Sequence, residues 1–307
     1  MRAISYDHYG DPDNLTLSDL PEPRVGPAEV LIRVRSAAVN PVDWKVAAGG
    51  LDALMNVTFP VIPGWDVSGV VERVGLDTPE FKPGDEVIAY ARKDWVHGGT
   101  FAELVTVPVR AVARKPKALD WHQAAGLPLA GLSAYQLLSR LGLSRDDTVL
   151  VHAAAGGVGS LAVQIANATG ARVIGTASEA NHEMLRELGA EPVAYGDGLA
   201  ERVRELAPDG VDVVVDFVGG VLDATLAVLR EDGRHGSIVE AEVAEKGGLY
   251  AWVRPNAADL QALADLADRG LLTVPVAQVF PLEEAAEAFR LSQGGHVRGK
   301  IAIEVSH

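Results

Sequence analysis

The stretch Val149–Gly170, VLVHAAAGGVGSLAVQIANATG, decides the fold. An apolar run, Val149 to Val151, leads into Ala154, Gly156 and Gly159, which fill the positions of a G-x-G-x-x-G pattern with alanine in place of the first glycine. Behind them Val158, Leu161, Ala162, Ile165 and Ala166 recur at helical spacing until Gly170, a residue type that ends helices. Small residues permit a tight turn and let backbone N–H groups approach a pyrophosphate, toward which a helix N-terminus contributes partial positive charge. Gly159 lets the helix lie close on the strand. A further strand, RVIGTA, completes a βαβ unit, the context in which a glycine pattern gains meaning. Ala154, Gly156, Gly157, Val158 and Gly159 are therefore candidate dinucleotide contacts. The alternative is a glycine-rich turn kept only for helix–strand packing.

Outward from this unit the alternation continues through VDVVVDFV and HGSIV, and begins upstream with a helical stretch from Asp120 through Tyr135 and Leu138. Such alternation predicts an α/β fold, a mostly parallel, doubly wound sheet with helices on both faces. Up to about Pro116 the chain instead reads as short strands (VLIRVRSAAV, VSGVVERVG, DEVIAY) between the breakers PEPRVGP and FKPGD, which makes a β-rich lobe. The last segment returns to strand character in TVPVAQVF and KIAIEV, around a helix containing Glu283 to Arg290, so the first lobe is expected to be closed by the C-terminal segment. This reading divides the chain into residues 1–118, 119–271 and 272–307.

Composition agrees with two domains, since 307 residues at about 100 to 200 per domain leave room for both. Hydrophobic residues at 48% and charged residues at 22% allow a packed core. Asp plus Glu outnumber Lys plus Arg 42 to 27, and the net charge of −15 would repel a nucleic-acid backbone or an anionic bilayer, so neither partner is expected. There is no cysteine, hence no disulfide, no thiolate nucleophile and no cysteine-based zinc site. The opening MRAISYDHYG has no continuous apolar stretch of the kind a secretory signal needs, and a cytoplasmic location is expected. The uncharged runs Trp121–Ser139 and Thr148–Ala171 carry too many Gly, Pro, Gln and Asn residues for membrane spans.

The second strand of the βαβ unit chooses the cofactor. A carboxylate at its end would hold the ribose hydroxyls of NAD, whereas a 2′-phosphate needs a neutral or basic pocket. Here Ser178 stands at the strand edge and Glu179 follows it. Ser178 is either a phosphate donor or an N-cap for the helix through Met184, Leu185 and Leu188. His182, Arg186 and Arg298 are the candidate basic partners, and Glu179 argues for NAD.

The ordered segments AAVNPVDWKVAAG, PVIPGWDVSGVVERVG, FKPGDEV, GGTFAELVTVP, AAGLPLAGLSAYQLL, HAAAGGVG, LGAEPVAY, VDVVVDFVGG and VRGKIAIEV resemble the medium-chain dehydrogenase/reductase superfamily over essentially the whole chain. Within it they look like the zinc-independent quinone oxidoreductase and enone reductase branch. The resemblance implies a Rossmann domain plus a GroES-like catalytic lobe built from both chain ends, with the active site in the cleft between them. It implies NADPH as cofactor, a quinone or α,β-unsaturated carbonyl as substrate, and a homodimer. HAAAGGVG is also close to the enoyl reductase domains of polyketide synthases, which keeps a biosynthetic enone reductase as an alternative. A non-catalytic dinucleotide-binding protein is the alternative of another class, because fold does not fix function. Where zinc-dependent relatives have a ligand histidine after the glycine of Gly64-Trp65-Asp66, this chain has Trp65, and hydride transfer to a conjugated acceptor without zinc is expected.

The candidate catalytic residues lie in the first lobe. In the resembled reductases the run VNPVDWK faces nicotinamide and substrate, so Asn40 is a candidate donor to a carbonyl oxygen, and Lys45 a candidate for stabilising an enolate if burial lowers its pKa. Against this, Asn40-Pro41 is also a turn signal, Asp43 a candidate helix cap at Trp44, and Lys45 an ordinary surface lysine. Many quinone oxidoreductases place a tyrosine where Trp44-Lys45 stands, which leaves the proton donor open, with solvent as one source. Trp65 is a candidate aromatic wall or a core tryptophan, and Tyr90 a candidate cleft residue or a half-buried strand tyrosine. Phe217, Val218 and Gly219 close a strand at which the resemblance places the cofactor, and Thr100 is within cofactor reach in some relatives.

Overall fold

The structure, a computed structural model, describes residues 1–306. The chain folds into two compact units, Met1–Leu129 with Pro255–His307, and Ala130–Arg254.

The first unit opens with an antiparallel pair, β1 (Arg2–Ser5) and β2 (Thr16–Asp19). Next come β3 (Glu29–Val39), α1 (Pro41–Ala47), β4 (Asp66–Val74), β5 (Glu86–Tyr90), β6 (Leu104–Pro108), β7 (Val112–Arg114) and α2 (Trp121–Ala125). α3 (Pro128–Arg140) leads into the second unit, where β8 (Thr148–Val151), α4 (Gly159–Thr169), β9 (Arg172–Ala177), α5 (His182–Glu187) and β10 (Glu191–Ala194) alternate. α6 (Leu199–Leu206), β11 (Val211–Asp216), α7 (Leu222–Val228), β12 (Leu229–Ser237) and β13 (Leu249–Tyr250) complete it. The chain then returns to the first unit with α8 (Ala257–Asp268), β14 (Val276–Pro281), α9 (Ala285–Gln293) and β15 (Lys300–Glu304).

In the first unit the sheet runs β14-β15-β3-β4-β5-β7, with β6 paired to β3. Its buried valines and isoleucine, among them Val30, Ile32, Val34, Val67 and Val87, form one core. The register fixes what gathers at one end of this sheet. Val39 pairs with Ile301, Ala38 with Asp66, and Asp66 with Tyr90. The residues flanking those pairs, Asn40 and Lys300, therefore arrive beside Asp66, although the sequence separates them by hundreds of positions.

The second unit is a six-stranded parallel sheet in the order β10-β9-β8-β11-β12-β13, packed around Leu150, Ile174, Val193, Val203 and Val214. The strand order reverses between β8 and β11, and at such a switch point the loops leave a crevice beyond the carboxyl ends of the strands. The glycine-rich turn follows β8 there.

Three details differ from the sequence reading. The helical stretch from Asp120 is two helices: Asp120 caps α2 by accepting from the Gln123 N–H at 2.8 Å, and Pro128, which has no N–H to donate, starts α3. The units divide after Leu129 and after Arg254, where the reading drew its lines after 118 and 271. Periodicity identifies a helix but not the sheet it covers, and α2 and α8 both pack in the first unit. Last, β10, whose EPVA is only half apolar, and the two-residue β13 carry too little pattern to be read as strands. No helix among the described residues is long and apolar enough to cross a membrane.

Candidate active site

The turn between β8 and α4 has the features of an anion cradle. Ala153 adopts a left-handed φ of 52°, held by its N–H on the Thr176 hydroxyl at 3.1 Å and by the Ala154 N–H on the Thr176 carbonyl at 2.9 Å. The Gly156 N–H closes the turn onto the Ala153 carbonyl at 3.0 Å. The N–H groups of Gly157 and Val158 find no acceptor among the described residues, and α4 begins without a side-chain cap. Gly156, Gly157 and Val158 are half-buried, while Ala154 and Gly159 on either side are buried. The glycines differ in kind. A Cβ on Gly159 would lie 2.2 Å from the Ala153 carbonyl oxygen, so packing of helix on strand requires glycine there. A Cβ on Gly156 would meet only that oxygen, at 3.3 Å, and the residue has no left-handed φ. The protein's own packing leaves Gly156 largely unexplained, whereas close approach of a ligand's phosphates explains it.

Around this turn, Ser178 follows β9, half-buried, and its hydroxyl accepts from Asn181 Nδ2 at 3.2 Å. It precedes a 3-10 turn, Glu179–Asn181, without capping it through the side chain. Glu179 is exposed, and exposed Arg186 is paired with Glu183. Arg298 is exposed in the first unit, not in the one that carries Ser178. At the end of β11, Phe217 is half-buried and Val218 exposed. Their turn is shaped by buried Asp216, whose Oδ1 accepts from the Val218 and Gly219 N–H groups at 2.8 and 2.9 Å and whose Oδ2 accepts from Ser237 at 2.7 Å.

The first unit concentrates its buried charge at one end of the sheet. Asn40 is the N-cap of α1, and its N–H donates to Asp43 Oδ2 at 2.7 Å. Asn40 Nδ2 donates to Asp66 Oδ2 at 2.8 Å, and its Oδ1 accepts from Lys300 Nζ. Lys300 also donates to the Val39 carbonyl at 3.2 Å and lies 3.7 Å from Asp66, whose Oδ1 accepts from the Leu129 N–H at 2.8 Å. Burial pushes the Asp66 carboxyl up and the Lys300 ammonium down, while their attraction opposes both shifts. Burial likewise pushes Asp43 up, to about 8.

Beside this cluster is a cavity of about 10 Å³, room for about one water, lined by Tyr6, Asp43, Trp65 and Gly99 among others. The Tyr6 hydroxyl and Asp43 Oδ1 are both buried without a hydrogen-bond partner among the described residues. Trp65, only 7% exposed, packs edge-to-face on Tyr90 with ring centroids 6.2 Å apart. Tyr90 is wholly buried instead of half-buried. Lys45 lies on the exposed side of α1 over the Trp44 ring, so the burial that its expected role requires is missing. Trp44 itself ties α1 to α9 by donating to Ser292 at 3.2 Å. Thr100 is buried and its hydroxyl finds no partner among the described residues.

Asn40, Trp65 and Tyr90 thus gather around Asp66, and Lys45 stands apart. Sequence reasoning missed Lys300, although a charge at the head of the apolar strand KIAIEV is a signal of a buried pair. It also missed Tyr6, Thr176 and Asp216, which carry no spacing signal. No group of three or more His, Asp or Glu side chains among the described residues could hold a metal ion, and the Trp65 indole has no lone pair to offer one.

The family model for the alcohol dehydrogenase GroES-like domain matches residues 26–117, and that for zinc-binding dehydrogenase matches residues 188–303. The chain is 36% identical to the chloroplastic NADPH-dependent alkenal/one oxidoreductase of Arabidopsis thaliana, over 99% of this chain and 79% of that protein. It is 34% identical to the 2-methylene-furan-3-one reductase of Solanum lycopersicum, with the same coverage. Among solved structures, the quinone oxidoreductase of Coxiella burnetii superposes with a TM-score of 0.87 at 34% identity, over 100% of this chain and 99% of that one.

Proposed function

The chain belongs to the quinone and alkenal oxidoreductase branch of the medium-chain dehydrogenase/reductase superfamily, and on that premise we propose which of its residues carry hydride transfer to a quinone or an α,β-unsaturated carbonyl. It is an NADPH-dependent oxidoreductase. The contrast between Gly156 and Gly159 supports this assignment of the cofactor site, because packing demands glycine at 159 far more than at 156.

When bound, NADPH supplies the hydride. Gly157 and Val158 would hold its diphosphate through their free N–H groups, with Gly156 giving the room and Ala154 and Gly159 keeping the turn tight. Ser178 receives the 2′-phosphate, backed by Asn181. Phe217 and Val218, held by Asp216, border the cofactor. In the first unit Trp65 is the flat wall for the acceptor, and Tyr90 behind it fixes the indole plane. Asn40 acts as a positioning residue, fastening the start of α1 to Asp66 and Lys300. The electron pair of the C=C moves toward the carbonyl oxygen as the β-carbon is reduced, and solvent supplies the proton that the enolate takes up. The same reading makes the protein a cytoplasmic homodimer, joined at the edge strand β13, which pairs on one side only.

The test follows NADPH oxidation with a panel of quinones and enones, including acyl-thioester and polycyclic enones. Turnover on some of them, abolished by Gly156→Val, is expected. No oxidation across the panel would sink the proposed chemistry.

A further inference from the structure

A second cavity of the first unit adjoins the small one, sharing Lys93 and Gly99 with it, and none of the roles above uses it. It measures about 360 Å³, within the range of small-molecule sites, and its walls are mostly apolar, including Leu20, Pro21, Pro60, Ile62 and Leu104. Two amines stand in these walls: the Met1 amino group, which donates to the Leu20 carbonyl at 2.6 Å, and Lys93, on the loop after β5. Its Nζ donates to the Thr106 hydroxyl at 3.1 Å and pairs with no carboxylate among the described residues. The surroundings disfavour the ammonium. Burial lowers the Lys93 pKa, and Glu29 opposes that only in part.

The other lysines are placed differently. Lys45, Lys82, Lys117 and Lys246 are exposed to water, Lys115 is paired with Glu86, and Lys300 is locked to Asp66 and Asn40. The sequence contains no cysteine, so the softest nucleophile available to a conjugated carbonyl is missing. Of the nitrogen nucleophiles left in this cavity, His97 is engaged through Nδ1 with the Thr58 carbonyl at 2.7 Å, whereas the Lys93 amine is held only by a hydroxyl.

We propose that Lys93 is a covalent modification site for α,β-unsaturated aldehydes and ketones, which the apolar cavity admits and the Lys93 amine captures. The step is an addition. The nitrogen lone pair bonds to the β-carbon, the C=C pair shifts toward the carbonyl oxygen, and the proton released from nitrogen ends on the α-carbon. Nothing is oxidised or reduced. The proposal rests on the reductase reading only for the presence of such electrophiles near the protein.

The experiment treats the full-length protein, without NADPH, with limiting methyl vinyl ketone. Borohydride then locks the adduct, and digestion with peptide mass spectrometry locates it. Because the cavity admits the electrophile beside an amine whose burial favours the neutral form, Lys93 should be modified ahead of every exposed lysine. Lys93→Arg, whose guanidinium stays protonated, should lose that adduct and keep the slow surface ones. Adducts on the Met1 amino group or on His97, which also line the cavity, or spread over the exposed lysines, with Lys93 unmodified, would overturn the proposal. NADPH turnover is measured separately on untreated protein. A silent reductase assay with a Lys93 adduct removes only the reductase reading, and turnover without the adduct removes only this one.

Discussion

Lys300 Nζ and Asp66 Oδ2 lie 3.7 Å apart in the interior of the first unit, and the single side chain of Asn40 bridges them, donating to the carboxylate and accepting from the ammonium. Desolvating both charges is unfavourable, and the pair persists because each is satisfied by further bonds. Removing one partner strands the other. Lys300→Met should therefore cost about 3 to 5 kcal/mol of unfolding free energy in urea titrations, and adding Asp66→Leu to it should restore much of that loss. Equal stability of Lys300→Met and the parent would mean that the two charges are not held together in the folded chain.

The glycines of the turn should separate binding from folding. Gly156→Val puts its side chain where phosphates must approach, while the protein itself offers a Cβ there only one close contact, at 3.3 Å. Dinucleotide binding should disappear in a fluorescence titration while the melting temperature changes little. Gly159→Ala forces a methyl to 2.2 Å from a backbone oxygen, and should lower the melting temperature markedly. Retained affinity in Gly156→Val would refute the site.

Local pattern made much of the fold legible. The apolar strand, the glycine turn and the helix ended by Gly170, which adopts φ +93° as its C-cap, stand where the spacing puts them. Asn40, Trp65 and Tyr90 were readable as residue types worth placing. What the sequence could not convey is the register that sets β15 beside β3 and brings Lys300 onto Asn40. Tyr6 shows the same limit, because its hydroxyl gains significance only from the cavity that it shares with Asp43. Lys45 shows the converse: its neighbours in sequence promise a site, yet the helix turns Asp43, Val46 and Ala47 inward and leaves Lys45 in water. A helical residue's direction depends on which face finds a core, and that is decided elsewhere in the chain.

Asp43 predicts a pH dependence with a definite sign. Its carboxyl is raised by burial from 3.8 to about 8, so the folded chain keeps a proton that the unfolded chain releases. The contribution to stability is fully present below the unfolded value and is lost as pH rises toward 8. Asp43→Asn keeps an acceptor for the Asn40 N–H but has no proton to lose. Between about pH 5 and 8 the parent should therefore lose stability relative to Asp43→Asn, as read from urea midpoints at each pH. Parallel stability profiles would show that Asp43 titrates as an ordinary exposed carboxylate.

The proposed role of Ser178 is to favour NADPH over NADH. Its Oγ accepts from Asn181 Nδ2, and its own proton has no acceptor among the described residues, so it is available to a 2′-phosphate oxygen. A hydrogen bond to a charged group contributes about 1.5 to 3 kcal/mol, hence Ser178→Ala should lower kcat/KM for NADPH by roughly 10- to 100-fold. The value for NADH, which has no phosphate there, should hardly move. Glu179 is the counterweight: exposed beside Ser178, it would hold the two ribose hydroxyls of NADH and repel the phosphate. Matched kinetics on the parent protein weigh the two side chains directly. A strong preference for NADH, lost in Glu179→Gln, would transfer the ribose contact from Ser178 to Glu179.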